Sequence, residues 1–224
     1  MSLAANAPED VQDDVPPVSR SRPSGPSVSQ PRPIVVILAG PNGAGKSTVA
    51  PALLQGALGV TEFVNADEIA RGLSEFNPEG EAIAAGRVML GRLRELSHQN
   101  VSFAFETTLA SRSTALWLDE LAASSYAAHL VFLWLPSADF ALERVRDRVR
   151  SGGHDVPDEI VRRRYAKGIQ NLFDLYQDRV ETWRVYDASG VDQRMVAARL
   201  GNQEVKVYDE SIWARIEPER ADET

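Results

Sequence analysis

The sequence predicts an α/β fold, a three-layer α/β/α sandwich with a mainly parallel sheet. Two observations carry this: residues 34–39 are a continuous apolar run of the length of a strand buried on both faces, and further apolar runs alternate with helical stripes. A glycine-rich turn follows the first run, and a helix is expected over 45–55. Residues 62–67 read as the second strand, and Ala82, Ala85, Met89, Leu93 and Leu96 fall on one face of the next helix. The third strand is placed at 102–107, a helix at 113–123 and the fourth strand at 129–135. Two arginine-bearing helices come next, then a fifth strand at 182–187. Residues 195–200 and 204–208, joined by Gly201-Asn202, read as a C-terminal β-hairpin.

The folded domain is expected over 34–215, between two segments of different character. Residues 1–33 hold seven of the 13 prolines, with many Ser, Asp and Gln. Such a stretch buries too little apolar area to offset its ordering entropy, so it is expected to be disordered or loosely packed. Residues 216–224 read as an acidic tail. The 224-residue chain has no cysteine, which excludes disulfide frameworks, thiolate metal sites and catalytic thiols. Its net charge of −8, from 24 basic and 32 acidic residues, disfavours a nucleic-acid partner. No stretch approaches the roughly 18 apolar residues of a spanning helix, and no secretory pattern opens the chain. A cytoplasmic protein without membrane contact is expected. Against this acidic average, residues 141–168 hold eight of the 24 basic residues and only five acidic ones.

Directly after the first strand stands Gly40-Pro41-Asn42-Gly43-Ala44-Gly45-Lys46-Ser47-Thr48. It fits G-x-x-x-x-G-K-[ST] with a strand before it and a helix after it, the setting that gives the motif meaning. The glycines let backbone N–H groups converge on phosphates, and the helix start adds its dipole. Gly40, Asn42, Gly43, Ala44, Gly45, Lys46, Ser47 and Thr48 are therefore assigned to a nucleoside triphosphate. Lys46 brings positive charge to the β- and γ-phosphates, and Ser47 offers its hydroxyl to Mg²⁺. ATP and Mg²⁺ are the expected cofactors.

Ligands of parallel α/β sheets sit at the carboxyl ends of the strands. The second strand ends in Asn65-Ala66-Asp67, so Asp67 is placed to take a proton from an acceptor hydroxyl or to help hold Mg²⁺. Capping the next helix is compatible with that role. Asn65 is assigned to the substrate side. The third strand ends in Glu106-Thr107-Thr108, a carboxylate and two hydroxyls suited to a polyhydroxylated substrate, with Mg²⁺ as a second option for Glu106.

Phosphoryl transfer needs cations around the γ-phosphate, and helix geometry selects among the arginines. With Ala141, Val145 and Val149 as the buried stripe, Arg148 flanks it and Arg150 points away. In the next helix Val161, Tyr165, Ile169, Leu172 and Tyr176 line up, Arg162 and Arg164 flank them, and Arg163 is expected to face solvent. Arg148, Arg162 and Arg164 are the phosphate-clamp candidates, with Asp155 and Asp158 as a capping pair for the second helix. Gly152-Gly153 and Pro157 between the helices read as a hinge that lets an arginine-bearing lid close. His154 in that loop reads chiefly as a loop-stabilising residue.

The loop GPNGAGKST, the stretches FVNADEIA and FAFETTL, the run RVRSGGHDVP…IVRRRY…NL and the terminal hairpin together resemble the zeta-toxin family of P-loop kinases, over roughly residues 34–210. The short FETTL and GGHDVP forms are similar to its compact branch. The resemblance implies transfer of the ATP γ-phosphate to the sugar 3′-hydroxyl of UDP-N-acetylglucosamine, and a small antitoxin protein as partner. It also implies Asp67 as general base, Lys46 as the loop lysine, Glu106 and Thr107 on the substrate side, and Arg148 and Arg164 as phosphate-stabilising residues. A kinase of another small hydroxyl compound and an ATP-switched binding module stay open as alternatives.

Overall fold

The computed structural model describes residues 32–66, 68–69, 78–153 and 155–217. Asp67, His154, the segment 1–31, residues 218–224 and the Ala82 side chain lie outside the description.

Seven strands form one sheet: β1 (Ile34–Ala39), β2 (Glu62–Val64), β3 (Phe103–Thr107), β4 (Ala127–Trp134), β5 (Thr182–Asp187), β6 (Arg194–Leu200) and β7 (Lys206–Val207). Their order is β2-β3-β1-β4-β5-β6-β7. The first five are parallel, and β6 and β7 run antiparallel as the expected hairpin at one edge. The most apolar run therefore sits centrally, between β3 and β4, with Val35 against Phe103 and Ala128. The strand order reverses beside it, which is where open α/β sheets bind ligands.

Helices α1 (Lys46–Pro51), α2 (Pro78–His98), α3 (Ser113–Ala123), α4 (Ala138–Arg150), α5 (Asp158–Asn171) and α6 (Glu210–Ile216) cover both faces. Alternate β1 side chains decide the layers. Val35, Ile37 and Ala39 join the core under α2, α3 and α6, while Val36 and Leu38 join the core under α1 and α4. Ala85, Met89, Leu93 and Leu96 are buried as their spacing predicts.

Four expectations need correction. The second strand stops at Val64, because the Asn65 side chain bonds inward to Glu106 and Ala66 already turns helical. The first helix passes at Pro51 into a π-helical stretch, Ala52–Ala57. Asp155 and Asp158 are not a capping pair: Pro157 is the N-cap of α5 and Asp158 pairs with Arg146 of α4. Residue 216 belongs to the domain, since α6 is capped by Asp209 and buries Trp213 and Ile216, with Trp213 stacked on Trp183 at 5.8 Å. At the other boundary Arg32 is tied down by the carbonyls of Ser125 and Tyr126 and by Glu181.

The turn after β3 is clamped from α5 and the π-helical turn Leu172–Tyr176 that continues it. Leu109, fully buried, takes a left-handed backbone (φ 58°). The Asn171 amide donates to its carbonyl at 2.6 Å, and Tyr176 Oη donates to the Ser111 carbonyl at 2.9 Å. Burial pushes the Tyr176 hydroxyl up to about 12, so it remains a donor. Gly168 lies so close that a Cβ there would overlap the Thr108 carbonyl oxygen, a backbone atom. Gly168→Ala is expected to cost about 1–3 kcal/mol of stability, read as a lowered denaturant midpoint at unchanged m-value.

A second expectation concerns acid. His129 Nδ1 lies 2.9 Å from Thr182 Oγ1. Burial lowers its pKa below 6.5, opposed by Glu181 and reinforced by Arg184 and Arg32. The unfolded chain then takes up the proton more readily, so His129 costs nothing above pH 6.5 and stability falls as pH drops below it. Melting temperatures between pH 7 and pH 5 should fall less steeply for His129→Gln.

Candidate active site

The loop Gly40–Gly45 leaves the carboxyl end of β1 and feeds α1, as its sequence demands. Gly40 N donates to the Thr107 carbonyl at 3.2 Å, which seats the loop beside the end of β3. Gly43 has φ 81°, and a Cβ there would stand 2.9 Å from the Ala141 carbonyl oxygen and 3.0 Å from Arg144 Cβ. Only glycine lets the loop lie against α4 in this way.

Lys46 is 6% exposed and folds back over the loop, donating to the carbonyls of Gly40 and Pro41 at 2.9 Å each. Its Nζ also lies 3.5 Å from Glu106 Oε1. The other carboxylate oxygen of Glu106 accepts from Ser47 Oγ at 2.8 Å and from Asn65 Nδ2 at 3.0 Å. Glu106, expected on the substrate side, thus joins Lys46, Ser47 and Asn65 at the phosphate loop. Thr107 Oγ1 accepts from Leu109 N at 3.1 Å and so shapes the turn.

Two cavities meet at this cluster. The smaller, about 350 Å³, is walled by Gly43, Gly45, Ser47 and Thr48 of the loop and by Arg144, Asp147 and Arg148 of α4. The larger, about 910 Å³, is lined by Asn65, Thr107, Thr108, residues of α2 and α3, and Arg163, Arg164 and Lys167 of α5. Asn42, Lys46 and Glu106 line both. Of the sequence-selected arginines, Arg148 reaches the smaller cavity and Arg164 the larger. Arg162 reaches neither, because Asp139 at the start of α4 draws it away. Arg163 does not simply face solvent: it lines the larger cavity beside Arg164.

Several wall residues were missed from the sequence. Arg144 donates to the Ser189 carbonyl at 2.8 Å, and its guanidinium lies 5.1 Å from the Phe140 ring centroid. Its partner is held in turn by Asp187: burial would raise that carboxyl, yet Ser189 N at 2.9 Å and Arg194 at 2.7 Å hold it below the usual range. Arg87, Arg112 and Lys167 add positive charge to the larger cavity. The readable signal was the polar series Arg164, Lys167, Asn171 and Asp174 on α5 and its extension, a second helical stripe beside the apolar one.

The expected Gly152-Gly153 hinge is instead the cap of α4. Gly152 N donates to the Val149 carbonyl and Gly153 N to the Arg148 carbonyl, both at 2.9 Å, with Gly152 at φ 86°. This is the Schellman arrangement, which ends a helix firmly.

A phosphate loop on the central strand, at the reversal of strand order, defines a P-loop α/β protein. A family model described as an AAA domain matches residues 35–169, and the chain belongs to that family. An uncharacterized protein of Haemophilus influenzae is 30% identical over 130 residues, covering 58% of this chain and 91% of the relative. Among solved structures, the AvrRxo1-ORF1:-ORF2 complex with ATP superposes with a TM-score of 0.65 at 19% identity, over 86% of this chain and 66% of that one. A structure of the PezAT chromosomal toxin–antitoxin system of Streptococcus pneumoniae gives 0.55 at 16% identity, over 80% and 75%. These likenesses are of fold, and they agree with the fold that the zeta-toxin resemblance implies. The chain spans 66% of the AvrRxo1-ORF1:-ORF2 chain that it matches. Among the described residues no helix is long and apolar enough to cross a membrane.

Proposed function

We propose that the protein is an ATP-dependent phosphotransferase of zeta-toxin type, moving the γ-phosphate to a hydroxyl of a sugar nucleotide resembling UDP-N-acetylglucosamine. The observation that carries the reading is the pair of cavities sharing Lys46, Glu106 and Asn42. A triphosphate laid along the loop in the smaller cavity presents its γ-phosphate at this junction, where an acceptor in the larger cavity meets it. Holding the two in line is most of what catalysis of phosphoryl transfer requires.

Lys46 neutralises charge on the β- and γ-phosphates, exchanging its loop carbonyls for phosphate oxygens. Arg148 faces the transferred group from α4. Asp67 takes the proton of the acceptor hydroxyl as it attacks. Ser47 Oγ and the Glu106 carboxylate, 2.8 Å apart, are hard oxygen donors that suit Mg²⁺. These two residues would hold Mg²⁺, which would supply positive charge to the phosphates. Arg87, Arg112, Arg163, Arg164 and Lys167 around the larger cavity support an anionic acceptor, and about 910 Å³ accommodates a sugar nucleotide. The AvrRxo1 and PezAT structures are complexes with a second protein, which supports an antitoxin-like partner for this chain as well.

Incubation with Mg²⁺, γ-labelled ATP and a panel of UDP-sugars, free sugars and nucleosides tests the reading. A phosphorylated UDP-N-acetylhexosamine is the expected product. Label on a neutral sugar or nucleoside would replace the acceptor, and no transfer with intact ATP binding would overturn the kinase reading in favour of a binding module.

A further inference from the structure

Gly153 is C-terminal to the last turn of α4, yet what requires a glycine there is a side chain. Its φ lies outside the left-handed region, so alanine suits its backbone. The obstacle is Arg148. A Cβ on Gly153 would stand 2.5 Å from Arg148 Cγ, 3.2 Å from Cδ and 3.0 Å from its carbonyl oxygen. Cγ is placed by χ1 alone, and a helical residue has essentially two χ1 wells. Arg148 therefore cannot ease away at its flexible end; it must change well, which swings the guanidinium off its present course along the smaller cavity. Gly152 differs in both respects: φ is 86° and nothing lies within 4 Å of its would-be Cβ.

We infer that Gly153 is a positioning residue for Arg148: the missing side chain forms the seat across which the arginine reaches the phosphate cavity. Gly152 ends the helix, and Gly153 aims Arg148 in its last turn. The inference rests on the proposed role of Arg148 toward phosphate.

A double-mutant cycle on the full chain tests it, reading affinity for ADP with Mg²⁺ and aluminium fluoride, a planar mimic of the transferred phosphoryl group. Arg148→Ala and Gly153→Ala are each expected to weaken binding about tenfold, the loss of one charge-assisted bond, and the double variant no more than Arg148→Ala alone. Because alanine at 148 has no Cγ, Arg148→Ala should also recover most of the melting temperature that Gly153→Ala lowers, the 3.0 Å contact with the backbone carbonyl oxygen alone remaining. This readout holds even where Gly153→Ala folds poorly. Gly152→Ala should lower the melting temperature by about 2–8 °C without weakening binding. Additive losses in the double variant, or wild-type affinity in Gly153→Ala beside a weak Arg148→Ala, overturn the inference. If Arg148→Ala binds like the wild type while Lys46→Ala does not, the phosphate role of Arg148 fails and the inference falls with it. If Lys46→Ala also binds normally, the nucleotide reading itself fails.

Discussion

Replacing Lys46 by alanine is expected to lower phosphoryl transfer by about 10²–10³-fold while leaving the fold intact. The side chain is 6% exposed, but its partners are the carbonyls of Gly40 and Pro41 and the Glu106 carboxylate, all members of the site. Among the described residues it is a member of neither hydrophobic core cluster. Truncation also removes the ammonium 3.5 Å from Glu106, so the phosphates approach that carboxylate with one positive charge fewer beside it, and ATP affinity falls with the rate. Single-turnover kinetics with γ-labelled ATP and a thermal melt of the same variant make the check. A lost cooperative melting transition, or transfer within a few-fold of the wild type, would contradict the assignment.

Asp67→Asn should lower transfer by about 10²–10⁴-fold with ATP affinity unchanged, because asparagine keeps the shape and hydrogen-bonding reach of the carboxylate but cannot take the acceptor proton. Its neighbours fit the role. Val64 ends β2 in register with Phe105, and Asn65 turns to Glu106, so the chain passes the rim of the larger cavity just before Asp67. A nucleotide-switched binding module would tolerate this substitution. Equal single-turnover rates for the two proteins would take the general-base role away from Asp67.

The layers were legible because burial on both faces leaves a plain mark. The central strand, β5 and α3 fall on the expected residues, Ile34–Ala39, Thr182–Asp187 and Ser113–Ala123. The phosphate loop was equally legible, since its spacing is local. Errors came where a tertiary partner decides. Arg162 was placed by its angle from the apolar stripe, but Asp139 on another helix claims it. Arg163 was sent to solvent by the same angle, although the side of α5 away from the core forms a cavity wall. Gly152-Gly153 signalled flexibility by composition, whereas two backbone bonds make it a helix end. The terminal helix was missed although Asp209, whose carboxylate accepts from Ile212 N at 3.1 Å, is a readable cap.

The position of β1 also bears on how the chain folds during synthesis. Ile34–Ala39 is made first among the strands, yet its two neighbours are β3 and β4, with Ile34 facing Ala127 across 93 residues of chain. At about 5–20 residues per second, the ribosome needs roughly 5–20 s to go from the end of β1 to the end of β4. Until β3 is made IVVILA has no partner in the sheet, and one of its edges stays open until β4 follows; a bare apolar strand readily pairs with another nascent copy. The residues that make the centre of this sheet the driest part of the molecule therefore make its first-synthesised strand the part most dependent on chaperone cover.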